Sequence, residues 1–195
     1  MKIVGLTGGI GSGKTTVSKI FETLHIPVFY ADDEAKKLYH SEEVLNNISY
    51  LVEENIQDTE GRLNRKKLAS ILFTDPEKLK KVNAYIHPMV KNVFEDWISN
   101  FSSESMYVIR EAAILIESGS YKDCDAIILV TAPEELRIER VMNRDGVNKE
   151  DVIERIRNQM SEEEKEKYAD FIINNDGENP LIQQVLKIHH QLIHQ

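Results

Sequence analysis

The stretch Lys2-Ile-Val-Gly-Leu-Thr-Gly-Gly-Ile-Gly-Ser-Gly-Lys-Thr-Thr16 decides the reading of this chain. Gly8, Gly13, Lys14 and Thr15 satisfy the pattern G-x-x-x-x-G-K-[ST]. Ile3, Val4 and Leu6 before it suit a short buried strand, and Thr16 to Leu24 after it carry helical spacing. Strand, glycine loop and helix is the setting in which this pattern binds polyphosphate. Glycines let the backbone turn tightly and approach phosphate closely. Successive N–H groups and the helix N-terminus then form an anion site. Gly11, Ser12, Gly13, Lys14, Thr15 and Thr16 are the expected nucleotide contacts, with Lys14 on the β- and γ-phosphates and the Thr15 hydroxyl on Mg²⁺. The alternative is a chance glycine-rich turn.

A chain of 195 residues can build one sizeable α/β core with insertions. Its net charge of -9 argues against nucleic acid as the main partner, which would favour a basic field. The single cysteine, Cys124, allows no intramolecular disulfide and reads as a structural bystander. The glycine loop interrupts the N-terminal apolar run, so no signal peptide is expected, and no apolar stretch reaches the length of a membrane span. A cytoplasmic protein without membrane attachment is the expectation.

Five segments read as buried strands: Lys2–Leu6, Pro27–Tyr30, Met106–Arg110, Ala126–Thr131 and Asp170–Ile173. Helical patterns alternate with them, which predicts a three-layer α/β fold around a parallel sheet. Helices are expected at Thr16–Leu24, Asp33–Tyr39, Pro133–Asn143 and Asn179–His194, and through most of residues 64–100. Asp75-Pro76 is a helix start, and His87-Pro88 should break or restart the long pattern. Two crossovers exceed simple connections. The expected division is a nucleotide-binding core over 1–40, 101–143 and 169–195, a helical substrate-binding subdomain over 41–100, and a lid over 144–168. Both insertions should rise above the carboxyl edge of the sheet, where such folds bind ligands.

Acidic residues follow the strands on that edge. Asp32 is a candidate base for an attacking hydroxyl, or a helix cap; Asp33 reads mainly as the cap. Glu111 is a candidate for the Mg²⁺ region, with an ordinary ion pair as the alternative. Arg140 and Arg144 share a helix face at i,i+4, where they could clamp ATP phosphates and stack on adenine. Surface pairing with Glu135, Glu139 or Glu154 is the competing reading. Arg155 lies on the far side of the same insertion. Asn148-Lys149-Glu150-Asp151 imitates the guanine-reading N-K-x-D signature, but no buried strand precedes it, so Asn148 reads as a helix N-cap. His87 by itself reads as a turn histidine. His189, His190 and His194 lack a convincing metal setting.

The order of these pieces resembles the dephospho-CoA kinase family along nearly the whole chain. Gly5-Leu-Thr-Gly-Gly-Ile-Gly-Ser-Gly-Lys-Thr-Thr16 resembles its phosphate loop, and Ala31-Asp32 with Ala35-Lys36 its D-A-D-x-x-A-R segment. Gly61-Arg-Leu-Asn-Arg65, Phe73-x-Asp75-Pro76 and Ile86-His87-Pro88 resemble its middle insertion. Ala113-Ile-Leu-Ile-Glu117 resembles its P-L-L-F-E segment. Arg140-Val-Met-x-Arg144-Asp, Arg155-Ile, Gln159-Met160, Ala169-Asp170 and Asn174-x-x-Gly177 resemble its lid and last strand.

The resemblance implies a P-loop NTPase fold with a helical substrate-binding insertion and a helical lid. It implies phosphorylation of the ribose 3′-hydroxyl of dephospho-CoA by ATP with Mg²⁺, with Asp32 as base and Lys14, Arg140 and Arg144 acting on the phosphates. It places Asn175 at the nucleotide and Lys36, His87 and Glu117 at the acceptor, in a monomer or small homo-oligomer. Tyr30 stands where the family's segment has its first aspartate, Lys36 where it has arginine, and Glu111 where an aspartate is common. Rival expectations are a kinase of a nucleoside or smaller metabolite, a nucleotide-switched binding protein, and a catalytically impaired scaffold.

Overall fold

A computed structural model describes residues 1–101 and 106–194. Residues 102–105 and 195, which fall in the expected core segments, lie outside the described residues. The chain separates into two compact units, one of Met1–Tyr30 with Phe101–Gln195 and the other of Ala31–Asn100. The expected division at residue 41 thus differs from the observed one, which gives the helix after the second strand to the helical unit.

The first unit is built on five parallel strands in the order β2-β3-β1-β4-β5. They are β1 (Lys2–Thr7), β2 (Val28–Tyr30), β3 (Tyr107–Glu111), β4 (Ala126–Thr131) and β5 (Phe171–Asn174). Val and Ile dominate because both faces of the central strands are covered. Helices α1 (Lys14–Thr23) and α9 (Leu181–His194) pack on one face. There Val4, Leu6, Tyr107, Ile109, Ile128, Val130 and Ile173 meet Val17, Phe21, Val185, Ile188 and Leu192 in one continuous core. The Phe21 and Tyr107 rings meet edge to face, and the Tyr107 hydroxyl shares a 2.7 Å hydrogen bond with His189 Nδ1. Register sets the functional edge: Leu6 and Tyr30 are both paired with Glu111. Helix α1 begins at Lys14, two residues earlier than expected, because Gly13 turns the chain into it.

Further helices of this unit are α6 (Glu134–Asp145), α7 (Lys149–Arg157) and α8 (Glu162–Glu166), which fill the second long crossover. The Asn148 side chain accepts from Asp151 N at 2.8 Å, so the apparent guanine motif is a helix cap. Helices α6 and α7 enclose a small apolar cluster of Ile138, Val141 and Val152, against which Ile10 of the phosphate loop packs. Burial pushes the Cys124 thiol up to about 11, so it is protonated and unreactive at neutral pH.

The helical unit contains α2 (Ala31–Leu38), α3 (Glu42–Val52), α4 (Arg65–Thr74) and α5 (Pro76–Ser99). Ser41, Asn64 and Asp75 cap α3, α4 and α5 through side-chain acceptors. Helix α5 packs on the other three. Its buried Val82, Ile86, Val90 and Phe94 recur every fourth residue and line up on one face. The expected break at His87-Pro88 does not occur, and His87 sits within a continuous helix. Pro88 removes the N–H that would bond to Ala84, but its neighbours Ile86 and Val90 are both buried. That apolar face holds both halves of the helix in line. Among the described residues, no helix is long and apolar enough to cross a membrane.

Pro88→Ala restores the missing donor while leaving this packed face intact. It should stabilise the protein by about 1 kcal/mol, a fraction of the roughly 3 kcal/mol difference between Pro and Ala in a helix interior. A melting temperature below that of the parent chain would show that α5 needs the proline's local geometry.

Candidate active site

The phosphate loop joins β1 to α1 over residues 8–13, and its glycines leave no room for side chains. Gly11 has φ +80 and Gly13 φ +97, conformations that favour glycine. A Cβ on Gly11 would stand 2.5 Å from the Arg137 carbonyl oxygen, and one on Gly13 would collide with Asn175 Nδ2. The loop is therefore crowded from outside while its backbone turns. Lys14 Nζ donates to Gly8 O at 3.0 Å, which holds the ammonium at the loop. Thr15 and Thr16 are exposed at the first turn of α1, and Ser12 is buried.

Residues distant in sequence complete this loop. Asn175, just past β5, is buried, and its Nδ2 donates to Ser12 O at 2.7 Å. Arg140 on α6 donates to Asn175 O at 3.0 Å and to Gly11 O at 3.5 Å. Both expected nucleotide residues thus converge on the loop. Arg144, one turn further along, does not join them. It is bound to Asp145 at 2.7 Å with its side chain 63% exposed, and Arg155 reaches the same carboxylate at 2.9 Å. The Arg144 hydrogen bond holds Asp145 below the usual carboxylate range. This network therefore favours the fold above the ordinary Asp value of about 4 and loses that effect as pH falls further.

Glu111 is buried at the carboxyl end of β3. Beside it in register stands Tyr30, whose hydroxyl donates to Glu22 Oε1 at 3.0 Å. Burial first, then the bond to Glu22, pushes the Tyr30 hydroxyl up to about 12. It therefore stays protonated and supplies no carboxylate-like acceptor. Glu117, which the resemblance places at the acceptor, is engaged within its own unit. Its Oε1 takes Lys165 Nζ at 2.9 Å and the Met160 N–H at 3.1 Å.

In the helical unit, Asp32 is half-buried at the second position of α2. Because α2 starts at Ala31, Asp33 lies inside the first turn and is not its N-cap. It pairs instead with exposed Lys36 at 2.7 Å. Two adjoining cavities of about 500 and 240 Å³ share Tyr39, Leu63 and Arg65, with Arg62 on one and Lys36, Leu68 and Leu72 on the other. They combine cations with an apolar wall. His87 is half-buried on α5.

Three residues were not singled out as functional from the sequence: Arg137, Gln159 and Lys165. Arg137 is buried beside Gly9, 3.4 Å from Glu162. Gln159 Oε1 accepts from Ile10 N at 2.8 Å. Lys165 is fully buried on α8 and also donates to Ala113 O. A buried lysine is tolerable only when paired. Lys165→Ala should therefore cost about 3 kcal/mol by removing a fully buried side chain together with its bonds to Glu117 and Ala113, measured by urea unfolding. A loss below about 1 kcal/mol would make this an ordinary surface pair.

Comparisons with known proteins identify the family. The family model for dephospho-CoA kinase matches residues 2–180. A dephospho-CoA kinase from Bacteroides fragilis is 44% identical over 187 residues, covering 95% of this chain and 90% of that relative. A solved structure from Thermus thermophilus superposes with a TM-score of 0.87 at 36% identity, covering 97% of this chain and 96% of that one. The dephospho-CoA kinase from Campylobacter jejuni gives a TM-score of 0.69 at 28% identity, covering 98% and 97%. This chain belongs to the dephospho-CoA kinase family.

Proposed function

We propose that this chain carries out the reaction of its family through the phosphate loop, Asp32 and the arginines of α6. The family reaction is ATP-dependent phosphorylation of dephospho-CoA to coenzyme A, so ATP is the co-substrate. The observation that carries the reading is the loop itself: Lys14 at its mouth, Asn175 and Arg140 tied to its carbonyls. Lys14 and the loop N–H groups hold the β- and γ-phosphates and counter the charge that develops on transfer. Arg140 lines the nucleotide side. Arg144 and Arg155, with residues 144–168 as the lid, would join as phosphate clamps by leaving Asp145. The role of Asp32 rests on its place after β2 and on the resemblance. It takes the 3′-hydroxyl proton as the oxygen–phosphorus bond forms and the bond to the departing ADP oxygen breaks. The paired cavities of the helical unit, with Lys36, Arg62 and Arg65 beside an apolar wall, suit the diphosphate and arm of the acceptor.

In this reading the Thr15 hydroxyl and the Glu111 carboxylate would hold Mg²⁺. Among the described residues, no group of three or more His, Cys, Asp or Glu could hold a metal by itself. That donor set fits a hard cation that takes its remaining ligands from phosphate and water. When bound, it would neutralise charge on the transferring group. Tyr30, protonated and bound to Glu22, leaves Asp32 as the one carboxylate at the two aspartate positions of the D-A-D pattern.

Purified protein should form coenzyme A from dephospho-CoA and ATP in preference to phosphorylating any member of a nucleoside panel. Lys14→Ala should lower kcat/KM by at least about 10²-fold with the fold intact. Asp32→Asn should lower kcat by about 10²-fold while ATP affinity changes little. Full turnover by Lys14→Ala would remove the loop from the mechanism. An unaffected Asp32→Asn would leave transfer to positioning without a dedicated base.

A further inference from the structure

The phosphate loop is gripped by side chains to which the proposed transfer chemistry gives no role. Residues 159–162 lead from α7 into α8, and they reach the loop by two routes. Gln159 Oε1 accepts the Ile10 N–H at 2.8 Å, while the Ile10 side chain sits on the Ile138, Val141 and Val152 cluster. Glu162 stands 3.4 Å from Arg137 Nη1, and that guanidinium fills the space beside Gly9, where a Cβ would collide with it. Arg137 is 6% exposed, and its Nε has no hydrogen-bond partner among the described residues. A buried guanidinium left incompletely bonded is costly. Its wedge between the loop and α8 is the evident return for that cost.

We propose that Gln159 and Arg137 are positioning residues that hold Gly9–Gly11 in the conformation that accepts ATP, and so couple the second insertion to the nucleotide. The proposal rests on the loop's being the ATP site. Neither side chain need touch the nucleotide. Gln159 fixes one peptide plane by its N–H, and Arg137 supports the adjacent one from outside. The N–H groups of a phosphate loop act together, so a small rotation at residues 9–11 misaligns the whole cradle. Ordering that cradle before the nucleotide arrives is preorganisation, and its loss should appear in ATP affinity.

The test uses the full chain, with ATP binding followed by calorimetry and steady-state kinetics varied separately in ATP and dephospho-CoA. Gln159→Met keeps length but removes the acceptor, and Gln159→Glu keeps the acceptor. Arg137→Met removes the wedge's charge and planar fork, and Glu162→Gln loosens its anchor. Gln159→Met and Arg137→Met should each weaken ATP binding and raise its KM about tenfold, while the dephospho-CoA KM stays within twofold. Gln159→Glu should recover binding to within threefold of the parent. Glu162→Gln should shift ATP affinity in the same direction as Arg137→Met, and by less. If Arg137→Met fails to fold, Glu162→Gln and the half-exposed Gln159 pair carry the test. ATP affinity within twofold of the parent in the folded variants would overturn the proposal. So would equal losses for both substrates, or Gln159→Glu as weak as Gln159→Met. A parent chain that binds ATP but transfers nothing to dephospho-CoA would instead sink the functional reading, while the ATP measurements would still judge this one.

Discussion

Between β1 and α1 the chain must reverse direction while leaving backbone N–H groups to meet phosphate. That demand governs much of the nucleotide-binding unit. A loop that satisfies it keeps few bonds of its own, among them Ser12 N–H to Gly9 O at 3.1 Å, so much of its stability comes from outside. Asn175 takes the Ser12 carbonyl, Arg140 takes that of Gly11, and Gln159 takes the Ile10 N–H. Each comes from a different part of the chain. The glycines at 11 and 13 serve both sides of the arrangement, since they permit the turn and leave room for Arg137 and Asn175.

The second long crossover shows how charge can be structural in an acidic protein. Lys165 is fully buried on a short helix, and Arg137 nearly so. Each is matched by a glutamate: Glu117 for Lys165 and Glu162 for Arg137. Burial is the main cause that raises Glu162 above the ordinary carboxylate value, with Arg137 and Lys165 opposing it. Pairs of this kind add little net stability over apolar packing, but they tie α8 to the loop after β3 through Glu117 and to α6 through Arg137. Specific placement, more than stability, is what a segment touching the phosphate loop requires.

Arg140 and Arg144 illustrate how one spacing leads to two outcomes. Both lie on the same face of α6. Arg140 meets the carbonyls of Gly11 and Asn175, whereas Arg144 lies beyond their reach and turns to Asp145. Periodicity identifies the face and not the partner. Pro88 makes a related point in the helical unit. Local chemistry argues for a break, but a row of buried apolar residues on both sides keeps α5 continuous.

The sequence by itself determined the parallel α/β plan, the five strands to within a residue or two, the phosphate loop, the Asn148 cap and the family. These depend on short-range patterns: alternating apolar runs, glycines at set intervals, a cap residue before a helical stretch. Lys14 and Thr15 could be chosen as site candidates in the same way, because they are defined by their neighbours along the chain. Tertiary structure alone decided that Arg137, Gln159 and Lys165 are buried or tied to the site, that Glu117 is bound to Lys165, and that the chain divides at Tyr30. A polar side chain on a helix looks the same in sequence whether it faces water or a loop. Which it faces is set by packing between segments far apart in the chain, where the burial cost is balanced by partners that no local window contains.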